Sequence, residues 1–173
     1  MDLIVPDEDA SRMQRQTWEA MAKGVFVPEA QKYAASKARN PASLRVRLHY
    51  AGRTVELSGD CYGALWEADA TPCDIFKVPH HADAKAITRG LVEKLKPSHA
   101  VISCAKKYNP AKDRPSAEVI ALLRDVGAQV WFTDAFREAG RRCPMRRCLD
   151  FRILEDGGIV VPADNARERM DKS

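Results

Sequence analysis

The stretch from residue 74 to 134 constrains the fold more than any other part of the chain. It alternates short apolar runs with helix-patterned segments: DIFKVP (74–79), then a stretch near 83–95 with Ala84, Ile87, Leu91 and Leu95 on one face, then HAVISC (99–104). A second amphipathic stretch follows, with Pro115 in its first turn, Val119, Ile120, Leu123 and Val126 as its stripe and Gly127 as its stop, and then AQVWFTD. Strands separated by helices in this way predict a layered α/β sheet whose strands are joined by crossovers.

Two hairpins flank that core. Val46, Leu48 and Tyr50 alternate with Arg45, Arg47 and His49, the period of a half-buried strand. The pattern predicts the apolar set facing the core and the arginines and His49 facing solvent. Ala51-Gly52 then turns the chain into RTVELS, and DFRILE–DGG–IVVP reads as a second hairpin near the end. The sheet is therefore expected to be mixed. Residues 1–39 are polar, Ala-rich and broken by Gly24 and Pro28, which predicts one or two short peripheral helices; 40–162 form the body, and 163–173 are a charged tail expected to fray.

At 173 residues the chain suits one domain. It has no apolar run of the ~18 residues a membrane helix needs, and its acidic start is unlike a signal peptide. With five cysteines, an odd number, the expected setting is a reducing cytoplasm with no membrane partner. Net charge of +4 is mild, so nucleic acid is weakly supported as a partner, resting on the run Arg141-Arg142-Cys143-Pro144-Met145-Arg146-Arg147-Cys148, which has no interleaved aromatic residues and reads first as a solvated loop. No glycine-rich nucleotide fingerprint occurs.

Candidate chemistry sits in two loops. Ser58-Gly59-Asp60 follows one predicted strand, and Pro79-His80-His81 follows the next. Strand ends of α/β sheets gather ligands, and carboxylate and imidazole suit zinc or manganese. Taken alone, Gly-Asp is more often a turn, and a His pair on a loop more often exposed than a ligand. Cys61 reads as a soft donor or a small buried residue, and Tyr108 as a group that orients substrate.

The blocks SLRVRLHYAGRTVELSGD, DIFKVPHH, LVEKLKPSHAVIS and RPSAEVIALLRDVGAQVWFTD together resemble the C-terminal half of a metallo-β-lactamase-fold hydrolase, nearest its DNA-uptake, ComEC-like branch. The resemblance implies a mixed sheet flanked by helices, an incomplete αββα sandwich with a metal site at one edge. It implies that Asp60 bridges zinc or manganese ions and that His81, or else His80, is a further ligand, making Asp60 and His81 the catalytic pair of a phosphodiester or related ester hydrolase.

The chain departs from that family at several points. No HxHxDH block occurs, and the first of its four histidines is His49. The family's His-His-Gly-Ser reads His81-Ala82-Asp83, where Asp83 is either an added ligand or the N-cap of the next helix. Arg114 stands where the family often has histidine before the helix-opening proline, a fixed cation suited to phosphate. Two donors fall short of the roughly four per metal that a dinuclear site needs. The expectation is a chain partial or inactive alone, joined by a second copy or by a partner carrying the other half. The alternative is a degenerate, non-catalytic module of protein–protein association.

Overall fold

The computed structural model describes residues 1–4, 8–103, 114–133, 137–138, 141–142 and 150–161. The elements in chain order are β1 (Asp2–Ile4), α1 (Glu8–Ala22), α2 (Glu29–Lys37), β2 (Arg45–Tyr50), β3 (Arg53–Leu57), β4 (Ile75–Lys77), α3 (Arg89–Leu95), β5 (His99–Ile102), α4 (Ala117–Asp125), β6 (Gln129–Phe132), β7 (Arg137–Glu138), β8 (Arg141–Arg142), β9 (Arg152–Ile153) and β10 (Ile159–Val160).

Six strands form one mixed sheet in the order β1-β2-β3-β4-β5-β6. β1, β2 and β3 are antiparallel, and β3 through β6 run parallel. The predicted layered α/β architecture is therefore observed. Ala51 and Gly52 both have positive φ (47° and 74°), the turn that matches the twist of a two-residue hairpin. β4→β5→β6 is a sheet growing in one direction, so right-handed crossovers put α3 and α4 on the same face.

Phe76, Ala100, Ile102 and Phe132 point to that face and pack with Leu91, Val92, Leu95, Val119, Ile120 and Leu123. The opposite face carries Val46, Leu48, Val55, Val101 and Trp131, all half-buried, and Leu57 and Tyr50, which are exposed. The β9–β10 hairpin, as predicted, pairs antiparallel. It meets this second face through Phe151, whose ring lies 5.5 Å from His99 and 5.9 Å from Trp131, and through the Gly157 carbonyl, which accepts from Arg53 Nε at 2.6 Å.

The predicted orientation of β2 is reversed. Arg45 and Arg47 are buried, 2% and 8% exposed, and Glu56 is 0% exposed. Arg45 reaches Oε1 of Glu56 at 2.9 Å, and Arg47 reaches Oε2 at 3.1 Å. Arg45 also lies 3.8 Å over the ring of the buried Trp66, and Arg47 donates to the carbonyls of Thr71 and Pro72. A two-residue turn at 51–52 places Arg47 opposite Glu56. Cross-strand charge pairing thus outweighs the apolar alternation at this end of the sheet. His49 is exposed, as expected, and bonds Asp2 at 2.9 Å across the unforeseen β1.

Helix α3 is shorter than the predicted 83–95. It starts after Thr88, whose hydroxyl accepts from the Leu91 amide at 3.1 Å, so Thr88 is the N-cap and Asp83 is not. Pro115 precedes the N-cap Ser116 of α4 instead of lying inside its first turn. Tyr108, Cys143, Cys148 and the tail 163–173 lie outside the described residues. Among the described residues no helix is long and apolar enough to cross a membrane.

Candidate functional site

Because β3, β4 and β5 are parallel, the chain leaves all three at one edge of the sheet. It leaves β3 through Ser58-Gly59-Asp60, with Gly59 at φ +54°, a left-handed conformation that glycine adopts without a Cβ penalty. A side chain at Gly59 would also crowd Ser43, whose Cβ is 3.2 Å from the built position. The Ser43 hydroxyl accepts from the Asp60 amide at 3.3 Å.

The chain leaves β4 through Pro79-His80-His81-Ala82, and there the backbone is strained. His80, His81 and Ala82 take φ of 48°, 57° and 57° in succession, with no glycine among them. Each costs roughly 1–3 kcal/mol and persists only where the surroundings over-determine it. Here they do: the His80 amide donates to the Gly59 carbonyl at 3.1 Å, the Asp83 amide to His80 at 3.1 Å and the Ser116 amide to Ala82 at 2.8 Å. The β3 loop and the start of α4 clamp the turn from both sides. Strain of this kind concentrates at functional sites.

The two histidines are held differently. His81 is exposed, and its Nδ1 lies 3.0 Å from the Ser103 carbonyl at the end of β5. A carbonyl only accepts, so Nδ1 carries a proton in this contact; in the neutral ring that leaves the lone pair on Nε2, the tautomer that metal-ligating histidines show. His80 is 8% exposed. Its Nε2 lies 3.4 Å from Nδ2 of Asn40, which also donates to the Tyr62 hydroxyl at 3.1 Å, and the Tyr62 ring packs edge-on at 5.3 Å. Among the described residues the buried Nδ1 of His80 has no hydrogen-bond partner.

The electrostatics tie Asp60 to this corner. Burial and the Arg114 guanidinium push the His80 imidazole below its ordinary value, and the Asp60 and Asp83 carboxylates act against them. Burial likewise lowers Lys77, on the neighbouring strand, and again Asp60 opposes it. Asp83 is not an N-cap but the partner of Arg114, whose Nε and Nη2 both reach Oδ2 at 2.9 Å. Burial raises the Asp83 carboxyl, yet the Lys85 amide and Arg114 outweigh it and hold the group below the usual range. Arg114, expected as a phosphate-binding cation, is thus engaged by a carboxylate. Cys61 is wholly buried in the core cluster, the second of its two expected roles.

Asp60 and His80 therefore share one corner, while His81 is turned toward β5. Among the described residues no three His, Cys, Asp or Glu side chains are placed to hold a metal ion. The described donors alone do not complete a zinc or manganese centre. Sequence reasoning missed Asn40 and Tyr62. Asn40-Pro41 reads only as a loop dipeptide, and nothing in its spacing from His80 signals a contact across 40 positions. No family model matches the chain, and no curated protein does.

Proposed function

We propose that this chain is one half of a metal-dependent hydrolase module of the metallo-β-lactamase type, which does not turn over substrate by itself. The observation that carries the reading is the strained His80-His81-Ala82 turn clamped against the Gly59-Asp60 loop at the shared edge of parallel strands. The turn holds His80 at the corner that the Gly59-Asp60 loop shares, while His81 faces the end of β5. Phosphodiesters or related esters are the substrate class the sequence resemblance implies. The donors missing from this corner would come from another polypeptide or a second copy.

The test is a hydrolysis assay on a generic phosphodiester with added zinc or manganese. The chain alone should be inactive. A chain carrying the complementary histidine-rich block should restore activity that chelator removes and that Asp60→Ala and His81→Ala abolish. Activity indifferent to both substitutions would refute the reading.

A second reading, a non-catalytic association module, is favoured by the incompletely covered sheet face with Leu57 at 36% and Tyr50 at 55% exposure. It predicts self-association on size-exclusion chromatography with light scattering that Leu57→Lys weakens. A monodisperse monomer that binds no hydrophobic dye would contradict it.

A further inference from the structure

On the second face of the sheet, one cluster of rings joins three separate elements. His99 opens β5, Trp131 lies beside it on β6, and Phe151 stands just before β9. The Trp131 indole Nε1 donates to Nδ1 of His99 at 3.2 Å, and the Phe151 ring packs edge-on against both rings. An indole N–H only donates, so Nδ1 is the accepting nitrogen and the neutral imidazole carries its proton on Nε2. The β9–β10 hairpin has a second seat at its turn. There Arg53 Nε donates to the Gly157 carbonyl, and a Cβ built at Gly157 would stand 2.8 Å from the Ala51 carbonyl oxygen. One end of the hairpin is thus held by a permanently charged side chain, the other by rings whose contact depends on a lone pair.

We propose that His99 is a proton-operated latch on the β9–β10 hairpin: while Nδ1 keeps its lone pair the hairpin stays seated on the sheet, and a proton on Nδ1 unseats its Phe151 end. Protonation sets two N–H groups 3.2 Å apart with no acceptor between them, so indole and imidazole must part. Phe151 then loses the pair of rings it packs on, while the Gly157 end, tied to Arg53, remains as the pivot. The charges around the ring are already engaged. Asp74, just before β4, is bonded by Arg53 at 2.9 Å and by the Thr54 amide at 2.8 Å. β6 carries no charged residue, and Asp150 and Arg152, on either side of Phe151, pair with each other at 3.7 Å. Burial favours the neutral ring and outweighs Asp74, so opening takes up a proton and is favoured as pH falls below the ring's ordinary 6.5. The latch is independent of the metal-hydrolase reading.

The experiment is an NMR titration of the full chain from about pH 8 to about pH 5, on wild type, His99→Gln and His99→Phe. The His99 ring carbons report its charge, cross-relaxation between the Phe151 and Trp131 rings reports the latch, and exchange protection of the buried Leu91, Val92 and Ile120 amides reports the core. In wild type the ring contact should be lost as His99 becomes charged, while the core amides stay protected. The opening equilibrium should rise by up to about tenfold per pH unit between 6.5 and the lower value of the closed state, and level off below it. Neither variant has the titrating nitrogen, so in both the Phe151–Trp131 contact should be independent of pH. Glutamine keeps an acceptor for the indole, and phenylalanine keeps a ring in case glutamine impairs folding. Ring contact that survives a charged His99, or a pH-dependent loss that persists in both variants, would overturn the latch. So would a His99 that stays neutral until the core opens, or core protection lost in step with the contact.

Discussion

Beneath β2 and β3, Glu56 is fully buried, and each of its carboxylate oxygens is taken by an arginine. At the edge where β3, β4 and β5 end, His80 is almost as deep, yet one ring nitrogen has no partner among the described residues and the backbone carrying it is left-handed for three residues. The opposite edge of the same strands resembles the first region. There Asp74 accepts from Arg53 at 2.9 Å and from the Thr54 amide at 2.8 Å, and its carbonyl takes Ser98 and His99. The buried carboxylates are thus matched by partners, whereas among the described residues two buried nitrogens have none, Nδ1 of His80 and Nε1 of Trp66 under Arg45. What sets the His80 region apart is its left-handed backbone.

The largest expected effect comes from breaking the saturated region. Glu56→Ala leaves Arg45 and Arg47 buried without a counter-charge and should cost about 3–5 kcal/mol in urea unfolding. Asp74→Ala removes one backbone and one arginine partner at the partly exposed edge and should cost about 1–3 kcal/mol by the same measurement.

His99 sharpens the contrast through pH. Burial holds its imidazole below its ordinary 6.5, with Asp74 acting in the opposite direction, and its Nδ1 accepts from Trp131 Nε1 at 3.2 Å. The unfolded chain then binds a proton more readily than the folded one, so stability should fall as pH drops below about 6.5 toward the folded value. In His99→Gln that part of the pH dependence should disappear from thermal unfolding curves.

The smallest effect belongs to the candidate site. His80→Asn places at φ +48° a residue that tolerates the left-handed region and deletes a buried unpartnered nitrogen. Stability should stay within about 1 kcal/mol of wild type or rise. A loss comparable to that of Glu56→Ala would make the turn a structural element and erase the distinction.

The strand and helix alternation from Ile75 to Phe132 is legible in the sequence because each element has its own period and its own punctuation by Pro97 and Gly127. The burial of Arg45 and Arg47 ran against their polarity. The signal was present, since the Ala51-Gly52 turn fixes the register that sets Arg47 opposite Glu56. Asp83 looked like an N-cap because it precedes an amphipathic stretch, but Thr88 supplies the cap, and Ile87 is buried from a loop. The likeness of Asp60 and the His pair to a ligand set could be read from two strand ends. Their separate fates could not: what distinguishes His80 from His81 is Asn40 and Ser103, contacts made only once the chain has folded.

Manganese titration followed by paramagnetic broadening of backbone amides tests the central claim most directly. If the Gly59-Asp60 loop and the His80–Ala82 turn face one cation, their amides should broaden together, at the lowest manganese concentration, and Asp60→Ala should abolish both. Broadening of only one loop, or equal broadening around the exposed Asp2–His49 pair, would contradict a shared site.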